Sequence, residues 1–120
     1  MKPIIIAENI EILRNHLVKG LYKKFNELRI DEVWDGKELV DKIKSEDYGL
    51  IITDYHMPQK DGLEAILEIR KFNQQVSILM ISGSGIKDEA INNGATEYLS
   101  KPFTPTEFLE TVEKLYYRGD

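Results

Sequence analysis

Residues 50–66 read LIITDYHMPQKDGLEAI, and the fold follows from how that stretch changes character. An apolar run (Leu50, Ile51, Ile52) ends in the polar pair Thr53–Asp54. A loop with Met57, Pro58 and the turn pair Asp61–Gly62 follows, and an amphipathic run starts at Leu63. This is the pattern of a buried parallel strand that delivers one carboxylate to its C-terminal end, where a loop hands over to a helix. Open α/β sheets carry their chemistry at such ends. A lone aspartate there serves equally well as a cap or turn residue, so the rest of the chain has to decide its role.

Working outward, apolar blocks and helical patterns alternate along the whole chain. Upstream, Pro3–Ala7 (PIIIA) is a continuous apolar run, as expected of a strand covered on both faces. Asn9 is placed to cap the next helix, whose buried stripe is Leu13, Leu17 and Leu21. Leu28–Trp34 is a weaker strand, with Leu28, Ile30 and Trp34 as candidates for one face and charges between them, which suits an edge. Asp35–Gly36 reads as a turn, and Leu39, Val40 and Ile43 mark a short helix behind it.

Downstream, the helix after the opening stretch shows Leu63, Ile66, Leu67 and Phe72 at core spacing, and Val76–Ile81 is a fourth strand ending at Ser82. Gly83 and Gly85 precede a short helix over about residues 86–93, closed by Gly94. A brief strand over 97–99 ends at Ser100–Lys101. Thr104-Pro105-Thr106-Glu107 is a helix start, with a Thr cap, Pro at the first helical position and Glu placed to close a capping box. Phe108, Leu109, Val112, Leu115 and Tyr116 give that last helix its apolar face. The result is a single α/β domain over 1–120, five βα units wound into a doubly wound parallel sheet.

The composition narrows the function. The 120 residues are 42% hydrophobic and 31% charged with a net charge of −5, which leaves no electrostatic footprint for nucleic acid. There is no cysteine, hence no disulfide and no thiolate metal site. The apolar run at the N-terminus, broken by Glu8, is too short to span a membrane. We therefore expect a cytoplasmic protein without membrane insertion.

All the strands but the second bring a polar group to one rim: Glu8 and Asn9, Asp54, Ser82, and Lys101. Carboxylates, a hydroxyl and an ammonium are what phosphoryl transfer to a carboxylate needs. Asp54 is the candidate nucleophile. Glu8 and Asn9 would help it hold a hard divalent cation, Mg²⁺ before others. Lys101 would pair with a phosphoryl oxygen and Ser82 would donate to another. Singly, each has a bland reading: a solvated first turn for Glu8 and Asn9, a turn residue for Ser82. Their coincidence at successive strand ends favours the functional one.

Taken in order, Glu8-Asn9, Asp54 with Met57-Pro58 and Asp61-Gly62, Ser82, Gly94-Ala95 through Tyr98, and Lys101-Pro102-Phe103 resemble the receiver domain of two-component response regulators. The resemblance covers essentially the whole chain. It implies a CheY-like, flavodoxin-like sheet of order 2-1-3-4-5. It implies that Asp54 accepts phosphate from a sensor histidine kinase or phosphotransfer protein, that Ser82 then moves toward the phosphoryl group, and that Tyr98 turns inward. It assigns the backbone carbonyl of His56 to the metal, the side chains of His56 and Ser84 to tuning the lifetime of the phosphate, and a cis bond to Lys101–Pro102. The output is a changed surface for a downstream protein effector, from a monomer or weak dimer that is no enzyme beyond its own phosphorylation and dephosphorylation. A phosphatase would want a second acid where His56 stands.

Two features depart from the family's pattern. Asn9 stands where a second metal-binding acid is usual, so a pseudo-receiver that binds partners without phosphorylation is the alternative. Lys101 follows Ser82 by only 19 positions, which shortens the fourth helix. The sequence ends at Tyr116-Tyr117-Arg118-Gly119-Asp120, which suits a stand-alone receiver or a fragment of a longer regulator.

Overall fold

The computed structural model describes residues 1–118; Gly119 and Asp120, at the chain end noted above, lie outside the described residues. Five strands and five helices alternate: β1 (Ile4–Ala7), α1 (Glu11–Lys24), β2 (Ile30–Val33), α2 (Gly36–Ser45), β3 (Leu50–Asp54), α3 (Gly62–Phe72), β4 (Ser77–Ser82), α4 (Lys87–Asn93), β5 (Glu97–Ser100) and α5 (Pro105–Arg118). All pairings are parallel and the sheet order is β2-β1-β3-β4-β5, the order expected above.

The alternation of side chains along each strand builds two cores. Ile5, Ala7, Ile51, Ile78 and Met80 face α2 and α3, against Leu39, Val40, Ile43, Ala65, Ile66 and Ile69. Ile4, Ile6, Leu50, Ile52, Leu79 and Ile81 face α1 and α5, against Leu17, Val18, Leu21, Phe108, Val112 and Leu115. This two-sided burial is why the central strands read as unbroken apolar runs. It also leaves the strand ends as the places where polar side chains can gather.

Several local expectations need correcting. Asn9 does not cap α1. The chain is still extended at Ile10, which is the residue before the helix, and the Glu8 carboxylate takes the Ile10 N–H instead, at 3.1 Å. Trp34 lies past the last β2 pairing and is 52% exposed, while Val33 is buried on the face of the sheet opposite Leu28 and Ile30. Leu67 and Phe72 are on the outside of α3, because the inward stripe is Ala65, Ile66 and Ile69.

Both Asp–Gly pairs read as turns are helix starts. Asp35 caps α2 through Glu38 N–H at 2.7 Å, and Asp61 forms a full capping box with Glu64 on α3. The Thr104–Glu107 box on α5 is present as expected, with bonds of 3.0 and 3.2 Å. The Lys101–Pro102 bond is cis. The seven-residue α4 stops at Gly94, whose φ of +120° suits a residue without Cβ. Arg70 of α3 then ties down that corner, donating to Gly94 O at 2.8 Å and Asn73 O at 3.2 Å.

One glycine connects the fold to the site. A Cβ on Gly62 would lie 2.2 Å from the Asp54 carbonyl oxygen and 2.7 Å from Met80 Cε, and its N–H donates to Tyr55 O at 2.7 Å. The start of α3 therefore presses on the backbone that carries Asp54. Glycine-to-alanine in a helix ordinarily gains about 0.5–1 kcal/mol. Gly62→Ala is expected to lose about 1–3 kcal/mol instead, through overpacking. Urea unfolding measures this, and a stabilised variant would refute the close contact.

Candidate functional site at the carboxyl edge of the sheet

The site is assembled from four strand ends and the loops that follow them. β1 and β3 are neighbours in register, so Glu8, one residue past the Ala7–Thr53 pairing, comes level with Asp54. Asp54 pairs with Ile81 across β3 and β4, which sets Ser82 one step further along the next strand. Lys101 follows β5, and its N–H donates to Ser82 O at 2.9 Å.

Glu8 and Ser82 are fully buried and Asp54 nearly so. Two carboxylates withdrawn from water need compensation. The Lys101 ammonium supplies it, lying 3.3 Å from Glu8 Oε1 and 3.3 Å from Asp54 Oδ2. The remaining oxygens find backbone donors. Glu8 Oε2 accepts from Ile10 N–H, and Asp54 Oδ1 from Tyr55 N–H at 2.7 Å. Burial is the largest influence on Glu8 and pushes its pKa up. The Ile10 N–H pulls it back, Asp54 adds to the rise and Lys101 opposes it, with a net shift upward.

The other expected residues border this cluster. Asn9 is exposed beside Glu8. His56 and Ser84 are also exposed, and they join across the mouth through an Nε2–Oγ hydrogen bond of 3.0 Å. Ser82 Oγ accepts from Ser84 N–H at 3.0 Å. Tyr98 is already turned inward: its ring is buried, its hydroxyl donates to Ser82 O at 3.2 Å and accepts from Ile86 N–H at 3.3 Å. The inward position expected only as a response is thus the one this structure has, with the ring in the same core as Met80, Ala90 and Ala95.

One residue of the site escaped sequence reading. Arg14 is buried, donates from Nη1 to the Glu8 carbonyl at 2.8 Å, pairs with Glu32 at 3.2 Å, and lies 4.9 Å over the Trp34 ring. The only hint in the sequence was a cation early in a helix, where charge is usually acidic.

The donor set suits a hard cation. It offers two converging carboxylates, both oxygen donors. Among the described residues no group of three or more His, Cys, Asp or Glu stands together, so a cation here would keep several waters, as Mg²⁺ commonly does. A hollow of about 270 Å³ lies among Lys2, Tyr48, Gly49 and Tyr116 and includes none of these residues.

A parallel sheet of order β2-β1-β3-β4-β5, with an acid pair and a lysine gathered at its carboxyl edge, is the architecture of a signalling receiver domain. The chain belongs to the response regulator receiver domain family, whose profile matches residues 4–113. It is 31% identical over 114 residues to a chemotaxis protein CheY of Halobacterium salinarum, covering 92% of this chain and 93% of that one. It is 35% identical over 119 residues to the transcriptional regulatory protein TctD of Salmonella typhimurium, covering 97% of this chain but 52% of TctD. Among solved structures, the response regulator TrrA of Thermotoga maritima, in complex with Mg²⁺ and BeF, superposes with a TM-score of 0.86 at 32% identity, covering 96% of this chain and 99% of TrrA. Among the described residues no helix is long and apolar enough to cross a membrane.

The raised Glu8 pKa has a consequence for stability. The fold holds this proton more tightly than the unfolded chain does. Stability therefore falls as the pH rises from the ordinary glutamate value through the folded one, and stays lost above it. In metal-free buffer, Glu8→Gln is expected to flatten that fall. Urea unfolding across the acidic to neutral range tests it, and a variant that keeps the full slope would assign the proton elsewhere.

Proposed function

We propose that this chain is a phospho-acceptor switch of a two-component system, phosphorylated on Asp54 by a sensor histidine kinase or phosphotransfer protein in the cytoplasm and read by a protein effector. The observation that carries the proposal is the shared contact of Lys101 with two buried carboxylates, 3.3 Å to each. That contact gathers two carboxylates and one cation at the sheet edge, beside the strand end that carries Ser82.

Each role follows from a contact. Asp54 Oδ1 is engaged by the Tyr55 N–H and Oδ2 lies 3.3 Å from the Lys101 ammonium, so Oδ2 is the oxygen we assign as nucleophile. As Oδ2 bonds to phosphorus and the donor's bond breaks, negative charge moves from the carboxylate to the phosphoryl oxygens, and the Lys101 ammonium follows it. Ser82 already accepts from Ser84 N–H and keeps its own proton to donate to a phosphoryl oxygen. Mg²⁺, held by Glu8, Asp54, the His56 carbonyl and the Asn9 amide, would neutralise charge between donor and acceptor. The His56–Ser84 bond lies between the loops after β3 and β4, where it would govern how readily water reaches the phosphorylated carboxylate and hence the lifetime of the phosphate. Tyr98, tied to Ser82 O and Ile86 N–H, would carry a shift of Ser82 to α4.

Phosphorylation is read by intact mass after incubation with a small phosphodonor and Mg²⁺. Wild type is expected to gain one phosphoryl group and Asp54→Asn none; uptake by a well-folded Asp54→Asn protein would refute the assignment.

Asn9 supports a second reading, a pseudo-receiver that works without phosphate, because the residue beside Glu8 is uncharged. Asn9→Asp adds a charge next to the cation. It is expected to lower the Mg²⁺ needed for half-maximal phosphorylation about tenfold, equivalent to about 1.4 kcal/mol. Equal midpoints would remove position 9 from the metal site. A wild type that takes up no phosphate while Asn9→Asp does would establish the pseudo-receiver.

A further inference from the structure

We propose that Arg14 is a positioning residue for the cation site, and that it links that site to the surface tryptophan Trp34. The inference rests on the function proposed above, since it concerns the same site.

Arg14 stands in conflict with its local setting. Arg14 sits in the first turn of α1, where the helix dipole disfavours a cation, and it is nevertheless buried. A residue that violates local preference and still has every contact satisfied marks a constraint set from outside its own helix. The contacts identify that constraint. The guanidinium uses its planar fork at two points, Nη1 to the Glu8 carbonyl at 2.8 Å and Nε to Glu32 on β2 at 3.2 Å, while its face covers the Trp34 indole at 4.9 Å.

Glu8 is thereby held on all sides. Its N–H continues the β1–β2 ladder to Val33 O at 3.1 Å, its carbonyl is held by Arg14, and its carboxylate reaches Ile10 N–H and Lys101. Glu8 is the first residue past the strand, and its carbonyl belongs to the Glu8–Asn9 peptide plane, which Arg14 anchors through Nη1. Without that anchor the plane can turn, carrying the exposed Asn9 with it and disturbing the bond from Ile10 N–H that orients the Glu8 carboxylate. Arg14 touches neither Asp54 nor Lys101, so it acts on the cation only through the main chain of Glu8. Because the same guanidinium covers Trp34, any adjustment of Glu8 on cation binding alters the environment of the chain's single tryptophan.

The test is a Mg²⁺ titration followed by two signals, the backbone amide shifts of Asp54 and Lys101 and the emission of Trp34. Wild type is expected to show both, with one common midpoint. Arg14→Met keeps length and apolar packing but has no donors. Its amide midpoint is expected to rise about tenfold, as for other residues that orient metal ligands, and its Trp34 emission should no longer respond. Arg14→Lys keeps the charge without the planar fork; it serves if the Met variant does not fold, and is expected to give a midpoint between the two and a reduced emission response. If wild type responds at Asp54 and Lys101 while either variant keeps the wild-type midpoint and emission response, the positioning role is overturned and the proposed function stands. If neither signal of wild type moves with Mg²⁺, the proposed function and this inference fall together.

Discussion

Glu8 and Asp54 stand side by side out of water, and the Lys101 ammonium touching both makes that arrangement tenable. Burying one carboxylate is unfavourable, and burying two adds their mutual repulsion. The lysine relieves both costs without filling either acid's full hydrogen-bonding capacity. What remains is a cluster with an imbalance, two carboxylates against one ammonium and acceptor capacity to spare. The chemistry proposed for the site uses that imbalance.

The sheet makes the cluster geometrically possible. Parallel strands in register end level with one another, so residues far apart in sequence, such as Glu8 and Lys101, meet at one edge. The helices on both faces make the strands wholly apolar up to that edge, which confines the polar groups to it. The approach of Gly62 to the Asp54 backbone adds a fixed wall beneath the loop.

Around this rigid edge lie contacts of a different kind. His56 and Ser84 are exposed and bridge two loops, Tyr98 connects Ser82 to the start of α4, and Arg14 connects Glu8 to Trp34. Each joins a site residue to the surface through one or two hydrogen bonds or a stacked ring. Such links can be remade at small cost, whereas the cores beneath them cannot. The short α4, held at its end by Arg70, keeps Tyr98 covered despite the abbreviated segment between Ser82 and Lys101.

Much of this was written locally in the chain. The apolar runs, the helical stripes of α1 and α5, the capping box at Thr104 and the polar residue at each strand end determined the α/β class and named Glu8, Asp54, Ser82 and Lys101, because those signals depend only on period and on neighbours within a turn. Asp61 and Asp35 carried the same Asp-x-x-Glu signal of a helix start, which their following glycines masked as turns. Tertiary structure alone decided the rest. Leu67 and Phe72 are outside because α3 packs through Ala65, Ile66 and Ile69, and Trp34 is outside because the β2 pairing stops at Val33. Arg14 could not be found from its neighbours in sequence, since its partners Glu8, Glu32 and Trp34 come from the end of β1, from β2 and from the turn beyond it, and only the pairing of those strands brings them together.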